Sequence, residues 1–294
     1  MELDQYKLLP CEGGEDDRIE EKVGAYADSF APPEPRTKNE RLVFKAEDDG
    51  KIIGGCIVNV HRWGRAVLGC LWVDENYRGQ GLGSMLIRRA EDAAREKGCY
   101  YLCLGTIDFQ ARPLYEKHGF QVFTATENFP RGHRSWSLSK RLDRADPDYV
   151  PTHNDAAARF VILPGTEEDG KLIDDGLDRY SDAFAPDECE ETELNRKLVD
   201  ADGHLIAGIV AEVGCWSECD IDSVWVEEAS RGQGLGSRLL REVEHEAKEA
   251  GAYIMLTYAC DWNVGFFTKN GYTVRGVLED YPKGHRAYEL QKLI

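Results

Sequence analysis

Two stretches of seven residues have the composition of an anion cradle. RGQGLGS at 78–84 recurs letter for letter at 231–237. Arg78, Gly79, Gln80, Gly81, Leu82, Gly83 and Ser84 follow an apolar strand-like run and open a run with helical periodicity. Arg231, Gly232, Gln233, Gly234, Leu235, Gly236 and Ser237 do the same. The N–H groups of a helix's first turn are unpaired and point outward. Together with the helix dipole they favour a negative charge. The glycines let a phosphate reach the backbone, and the arginine adds positive charge. A Walker A loop needs Gly-Lys-Ser/Thr, which is absent. The last glycine of a dinucleotide fingerprint is replaced by Ser84 and Ser237.

Carboxylates precede the second loop. Asp220 and Asp222 flank Ile221 on the run that leads to Val224, Trp225 and Val226. Side chains two apart on a strand share a face, so both acids can face one cleft. The aligned positions before Leu71, Trp72 and Val73 are Val67 and Gly69, which accept no proton.

The elements that position these residues are themselves duplicated. Tyr26, Asp28 and Phe30 pair with Tyr180, Asp182 and Phe184. Pro130-Arg131-Gly132-His133 pairs with Pro282-Lys283-Gly284-His285. The chain thus reads as one domain of about 140 residues present twice, within the ordinary domain range. The domains are expected at 1–142 and 159–294, with 143–158 as a polar, proline-containing linker. Each half opens with a short strand and a polar helix-compatible region. Two strands around an Asp-Gly turn follow. A further strand enters the glycine loop, and Leu82, Leu86, Ala90 and Ala93, like Leu235, Leu239, Val243 and Ala247, recur at helical spacing. Gly98 and Gly251 mark where each helix stops. An apolar strand, a short helix and a closing hairpin complete the half. The expected fold is α+β: in each domain a mixed, mostly antiparallel central sheet flanked by helices.

Composition removes several classes of function. The formal charge of −18 argues against a phosphate backbone as partner and against nucleic acid, and is compatible with cationic acceptors such as amines. No apolar run reaches the length of about 18 residues that a membrane span needs, and the acidic N-terminus does not read as a secretory signal. Nine cysteines without a CxxC pair read as reduced thiols of a cytoplasmic protein, and no metal site is expected.

Arg78 through Gly83 and Arg231 through Gly236 resemble the pyrophosphate-binding motif of the GNAT N-acetyltransferases. Tyr115-Glu116-Lys117-His118-Gly119-Phe120 resembles that family's second feature, a short helix ending in Tyr-x-x-x-Gly-Phe/Tyr. The closing Pro-x-Gly-His segment is similar to one bacterial subgroup. The resemblance spans both halves. It implies acetyl-CoA as cofactor and direct acetyl transfer to an amine. It places pantetheine beside Leu71–Val73 or Val224–Val226. It implies a carboxylate that takes the amine's proton and a tyrosine that protonates the departing thiolate, each worth about 10²–10⁴-fold.

On that resemblance Tyr115 is the general acid of copy one, and the aligned residue of copy two is Phe267. Asp220 and Asp222 are the candidate bases of copy two. Copy one needs a base elsewhere, with Asp108, Glu75 and Asp28 as options. One reading makes copy one the enzyme and copy two a structural or CoA-holding partner. The other lets copy two turn over as well, and a third arrangement has residues of both copies sharing one cleft. Tyr26, Asp28, Phe30, Tyr180, Asp182 and Phe184 lie in the region that usually covers the acceptor, where aromatics plus an acid suit a cationic amine. His133 and His285 can line its entrance. The expected acceptor is the amine of a small molecule, an antibiotic or amino metabolite among the options. Peptide N-acetylation and non-catalytic CoA binding are the alternatives, and a homodimer stays open.

Overall fold

The computed structural model describes residues 5–31, 37–144 and 159–294. In chain order the first repeat opens with β1 (Lys7–Pro10) and α1 (Glu15–Asp28). It continues as β2 (Glu40–Asp48), β3 (Lys51–His61), β4 (Arg65–Val73), α2 (Leu82–Glu96), β5 (Tyr101–Ile107), α3 (Arg112–Lys117), β6 (Gln121–Glu127) and β7 (Arg134–Arg141). The second repeat opens with β8 (Ile162–Pro164) and α4 (Glu167–Ser181). After a short β9 (Thr192–Glu193) come β10 (Arg196–Val199), β11 (Leu205–Val213), β12 (Glu218–Val226), α5 (Leu235–Glu249), β13 (Ile254–Cys260), α6 (Val264–Lys269), β14 (Thr273–Glu279) and β15 (Arg286–Leu293).

Two compact units divide the chain, and they are not the two sequence halves. One comprises Pro33–Pro186 and carries the loop at 78–84. The other joins Met1–Pro32 to Asp187–Ile294 and carries the loop at 231–237. The opening strand and helix of each repeat complete the sheet of the other. β8 pairs antiparallel with β2, from Phe44 opposite Pro164 to Ala46 opposite Ile162. β1 pairs antiparallel with β10, from Lys7 opposite Val199 to Pro10 opposite Arg196. This corrects the expected division into 1–142 and 159–294. The physical reason is the duplication itself: the two opening segments carry matching apolar and aromatic positions, so either sheet offers either helix a fitting seat. Residues 145–158 of the expected linker lie outside the described residues.

The seat shows in each unit as a bare backbone patch. Ile19 of α1 and Ile173 of α4 are fully buried. Each lies over a glycine, Gly208 on β11 and Gly55 on β3, where an added Cβ would stand 2.6 and 2.7 Å from the isoleucine Cγ1. Only glycine allows that approach.

The first-loop unit has the strand order β6-β7-β5-β4-β3-β2-β8. The second-loop unit has β1-β10-β11-β12-β13-β15-β14, with β9 beside β11. Neighbours are antiparallel except at the centre, where β4 runs parallel to β5 and β12 parallel to β13. On one face Leu82, Leu86, Ile87 and Ala90 of α2 pack on Cys56, Val58, Ala66 and Leu102. Leu235, Leu239, Leu240 and Val243 of α5 pack likewise on Ala207, Ile209, Cys219 and Met255. The apolar spacing read from the sequence is this buried stripe. Among the described residues no helix is long and apolar enough to cross a membrane.

Candidate active sites

Each central parallel pair holds together at one end only. β4 and β5 are paired from Arg65 opposite Tyr101 to Val67 opposite Cys103. β12 and β13 are paired from Glu218 opposite Ile254 to Ile221 opposite Thr257. Beyond those points β4 runs on to Val73 and β12 to Val226. Leu71–Val73 and Val224–Val226 therefore present backbone N–H and C=O groups along the opening between strands, a slot for an extended amide-bearing chain. The indoles do not enter it. Trp72 packs on the backbone of Gly176 in α4, and the Lys22 ammonium lies 4.5 Å over the Trp225 ring.

A bulge sits in the same strand of each unit. Leu68 and Cys70 oppose consecutive residues of β3, which leaves Gly69 as the extra residue. Ile221 and Ser223 likewise oppose consecutive residues of β11, which leaves Asp222. Asp220 and Asp222 both stand exposed on either side of buried Ile221, with the extra residue at Asp222.

The glycine loops have nearly the same geometry. Gly81 (φ 88°) caps α2 and Gly234 (φ 86°) caps α5 in the left-handed region that glycine tolerates best. Neither helix has a side-chain cap or an acidic residue in its first turn. α1 begins with Glu15, Asp16 and Asp17, and α4 begins with Glu167, Glu168, Asp169 and a Thr166 capping box. The loop helices thus leave their first-turn donors to an outside anion. An added Cβ at Gly79, Gly232 or Gly234 would meet no atom within 4 Å, so the cradles are open. The residues present fit a pyrophosphate. Gly83 and Gly236 serve packing instead, against Leu114 and Phe266 of the short helices, and Leu82 and Leu235 are core residues. Gln80 Nε2 donates to Asn76 O at 2.8 Å, tying the loop to itself, and Ser84 and Ser237 stand half-buried in the first helical turns.

The predicted acceptor residues assemble in both units, but across repeats. In the first-loop unit Tyr180 and Phe184, from the second repeat, meet Phe109 and His133 of the first. Phe184 stacks on Phe109 at 5.0 Å and 6°. Tyr180 Oη donates to Phe109 O at 2.9 Å. In the second-loop unit Phe30, from the first repeat, stacks on Trp262 at 5.4 Å and 11°. His285 Nε2 lies 3.1 Å from Phe30 O. Asp28 and Asp182 stand exposed at the ends of α1 and α4. Sequence reasoning missed Phe109 and Trp262. Their signal was present, since each directly follows a paired acid, Asp108 and Asp261.

The acid–base candidates fall in different units. Tyr115 is buried in the first-loop unit against Phe120. Burial, with the nearby Cys70 and Cys56 thiols, pushes its hydroxyl above the ordinary tyrosine range. Phe267 fills the equivalent place in the other unit, between Phe266 and Tyr272. Asp220 and Asp222 lie in the second-loop unit. Asp220 reaches solvent, yet protein surrounds it closely. That burial, with Glu218 and Asp222 beside it, pushes its carboxyl up to about 7 against the pull of Arg275. Burial raises Asp222 as well. Of the alternatives in copy one, Asp108 is taken up in its turn: Oδ2 accepts from Arg134 N at 3.1 Å. Asp200, Asp202 and His204 also come together, in the β10–β11 turn, where Asp200 Oδ1 accepts from the backbone N–H of both others.

The family model for acetyltransferases of the GNAT family matches residues 11–120 and again 171–272. Blasticidin-S acetyltransferase of Streptomyces morookaense is 36% identical over 110 residues, 37% of this chain and 80% of that protein. The crystal structure of an acetyltransferase from Bacillus cereus aligns at 33% identity and TM-score 0.41, over 45% of this chain and 96% of that one. An aminoglycoside 6'-N-acetyltransferase complexed with coenzyme A aligns at 17% identity and TM-score 0.32, over 34% and 72%. The chain therefore belongs to the GNAT family of acetyltransferases and carries its domain twice.

Proposed function

We propose that both units bind acetyl-CoA and transfer its acetyl group to the amine of a small molecule. The observation that carries this reading is the duplicate geometry: an open glycine cradle, a parting of the central strands and an aromatic wall, present in each unit with its own residues. The cradle backbone at Gly79–Gly83 or Gly232–Gly236 holds the pyrophosphate. The strand edge at Leu71–Val73 or Val224–Val226, not paired with β5 or β13, aligns the pantetheine. Acetyl-CoA supplies a thioester carbonyl for attack by a neutral amine.

The two units divide the acid–base work differently. In the second-loop unit Asp220, with its carboxyl near 7, takes a proton from the incoming ammonium at neutral pH, and Asp222 at the bulge adds negative charge beside it. A base poised near the working pH is the efficient one. In the first-loop unit Tyr115 stays protonated at neutral pH because burial raises it, and it donates to the departing thiolate.

The aromatic walls support a compact acceptor carrying a cationic amine, since a cation over a ring face gains about 0.5–2 kcal/mol. The likeness to blasticidin-S acetyltransferase supports an antibiotic or amino metabolite. The test is thiol release from acetyl-CoA with a panel of small amines beside a panel of peptides. Turnover with small amines is the expected result. Turnover confined to peptides would overturn the acceptor class.

A further inference from the structure

The loop arginines do more than stand near a phosphate. Arg78 Nε donates to Val73 O at 2.9 Å, which keeps the guanidinium beside the strand end that enters the loop. The guanidinium carbon also lies 4.7 Å from the centre of the Tyr180 ring. Arg231 repeats both contacts, with Val226 O at 3.0 Å and the Tyr26 ring at 4.4 Å. Each tyrosine is contributed by the opposite repeat.

From each tyrosine the contacts run on to the aromatic wall. Tyr180 packs on Phe184 at 5.2 Å and donates to Phe109 O, and Phe109 stands edge-on to His133 at 5.0 Å. Tyr26 stands edge-on to Phe30 at 5.0 Å, and Trp262 stands edge-on to His285 at 5.3 Å. The partners differ between units, Phe109 in one and Trp262 in the other, while the arginine–tyrosine stack is kept. A planar, delocalised guanidinium with one N–H spent on a carbonyl suits such a stack. A lysine ammonium does not reproduce it.

We infer that Arg78 and Arg231 are positioning residues that couple CoA binding at each cradle to the order of the aromatic wall on the exchanged helix. An anion in the cradle draws the neighbouring arginine into one orientation, and that orientation favours the tyrosine beneath it. By linkage the coupling is reciprocal, so an ordered wall strengthens CoA binding by the same factor. The inference rests on reading these aromatics as the acceptor wall. Its test needs no acceptor.

The experiment is amide hydrogen exchange of the full chain with and without CoA, read by mass spectrometry. In the parent, CoA is expected to slow exchange about threefold or more in peptides covering 15–31 and 167–184, as well as in the two loops. Arg231→Lys is expected to abolish the effect in 15–31 alone, and Arg78→Lys in 167–184 alone, with loop protection retained. Tyr26→Leu and Tyr180→Leu leave the loop sequences intact and carry the same expectation. They decide the matter if an arginine variant loses CoA altogether. Helix protection that persists in the variants, or is missing from the parent while its loops are protected, overturns the inference. Failure to acetylate any amine would leave this result standing.

Discussion

Ile19 of the first repeat is seated on Gly208 of the second, and a methyl group on that glycine would overlap it. The pair ties the N-terminal helix to the sheet that ends the chain. Ile19→Ala is expected to destabilise the second-loop unit by about 3 kcal/mol, the ordinary cost of emptying a buried aliphatic site. The first-loop unit, seated on Ile173 instead, is expected to keep its stability. Urea unfolding followed by hydrogen exchange in β3 and β11 separates the two. Loss of protection in β3 rather than β11 would contradict the exchange.

Tyr115→Phe removes one hydroxyl from a buried site. Turnover by the first-loop unit should fall by about 10²-fold or more, with acetyl-CoA affinity unchanged. Steady-state rates and calorimetry check this. The activity remaining in that variant then belongs to the second-loop unit. Undiminished turnover would remove Tyr115 from the chemistry.

In the Tyr115→Phe background the rate should rise as pH passes through about 7 and level above it, as Asp220 loses its proton. Asp220→Asn should abolish that step. Stability runs the other way. The folded carboxyl holds its proton more tightly than the unfolded one, near 3.9. Its contribution is full below about pH 4 and is lost as pH rises through about 7. Asp220→Asn should therefore be more stable than its parent at pH 8 and lose that advantage at pH 4, by thermal unfolding at each pH.

Native mass spectrometry should count two CoA molecules per chain. Gly81→Val and Gly234→Val place a β-branched residue in the left-handed region, where its Cβ crowds the backbone. Each should reduce the count to one, and the double variant to none. A count of one in the parent would mean that a single cradle works.

The cradles were legible because glycines at fixed spacing between strand and helix have few other uses, and because the stretch occurs twice. The succession of strands and helices followed from hairpin turns and apolar runs. The exchange was not legible. Tyr26 matches Tyr180 and Phe30 matches Phe184, so the pattern is the same whichever sheet each helix covers. The bulge at Asp222 also escaped, since an extra residue leaves no mark on the apolar alternation beside Ile221. Asp28 and Asp182 stood out in the alignment, and both lie exposed at the ends of α1 and α4.

The exchanged openings also impose an order on biosynthesis. Residues 5–31 leave the ribosome well before the strand that β1 must join, which begins at Arg196. At about 5–20 residues per second the wait lasts on the order of ten seconds or more. Throughout it Ile19 lacks Gly208, its own seat, and the acidic first turn of α1 favours water around it. The unit whose pieces are farthest apart in the chain is thus the last to have all its strands synthesised, after β8 and α4 of the other.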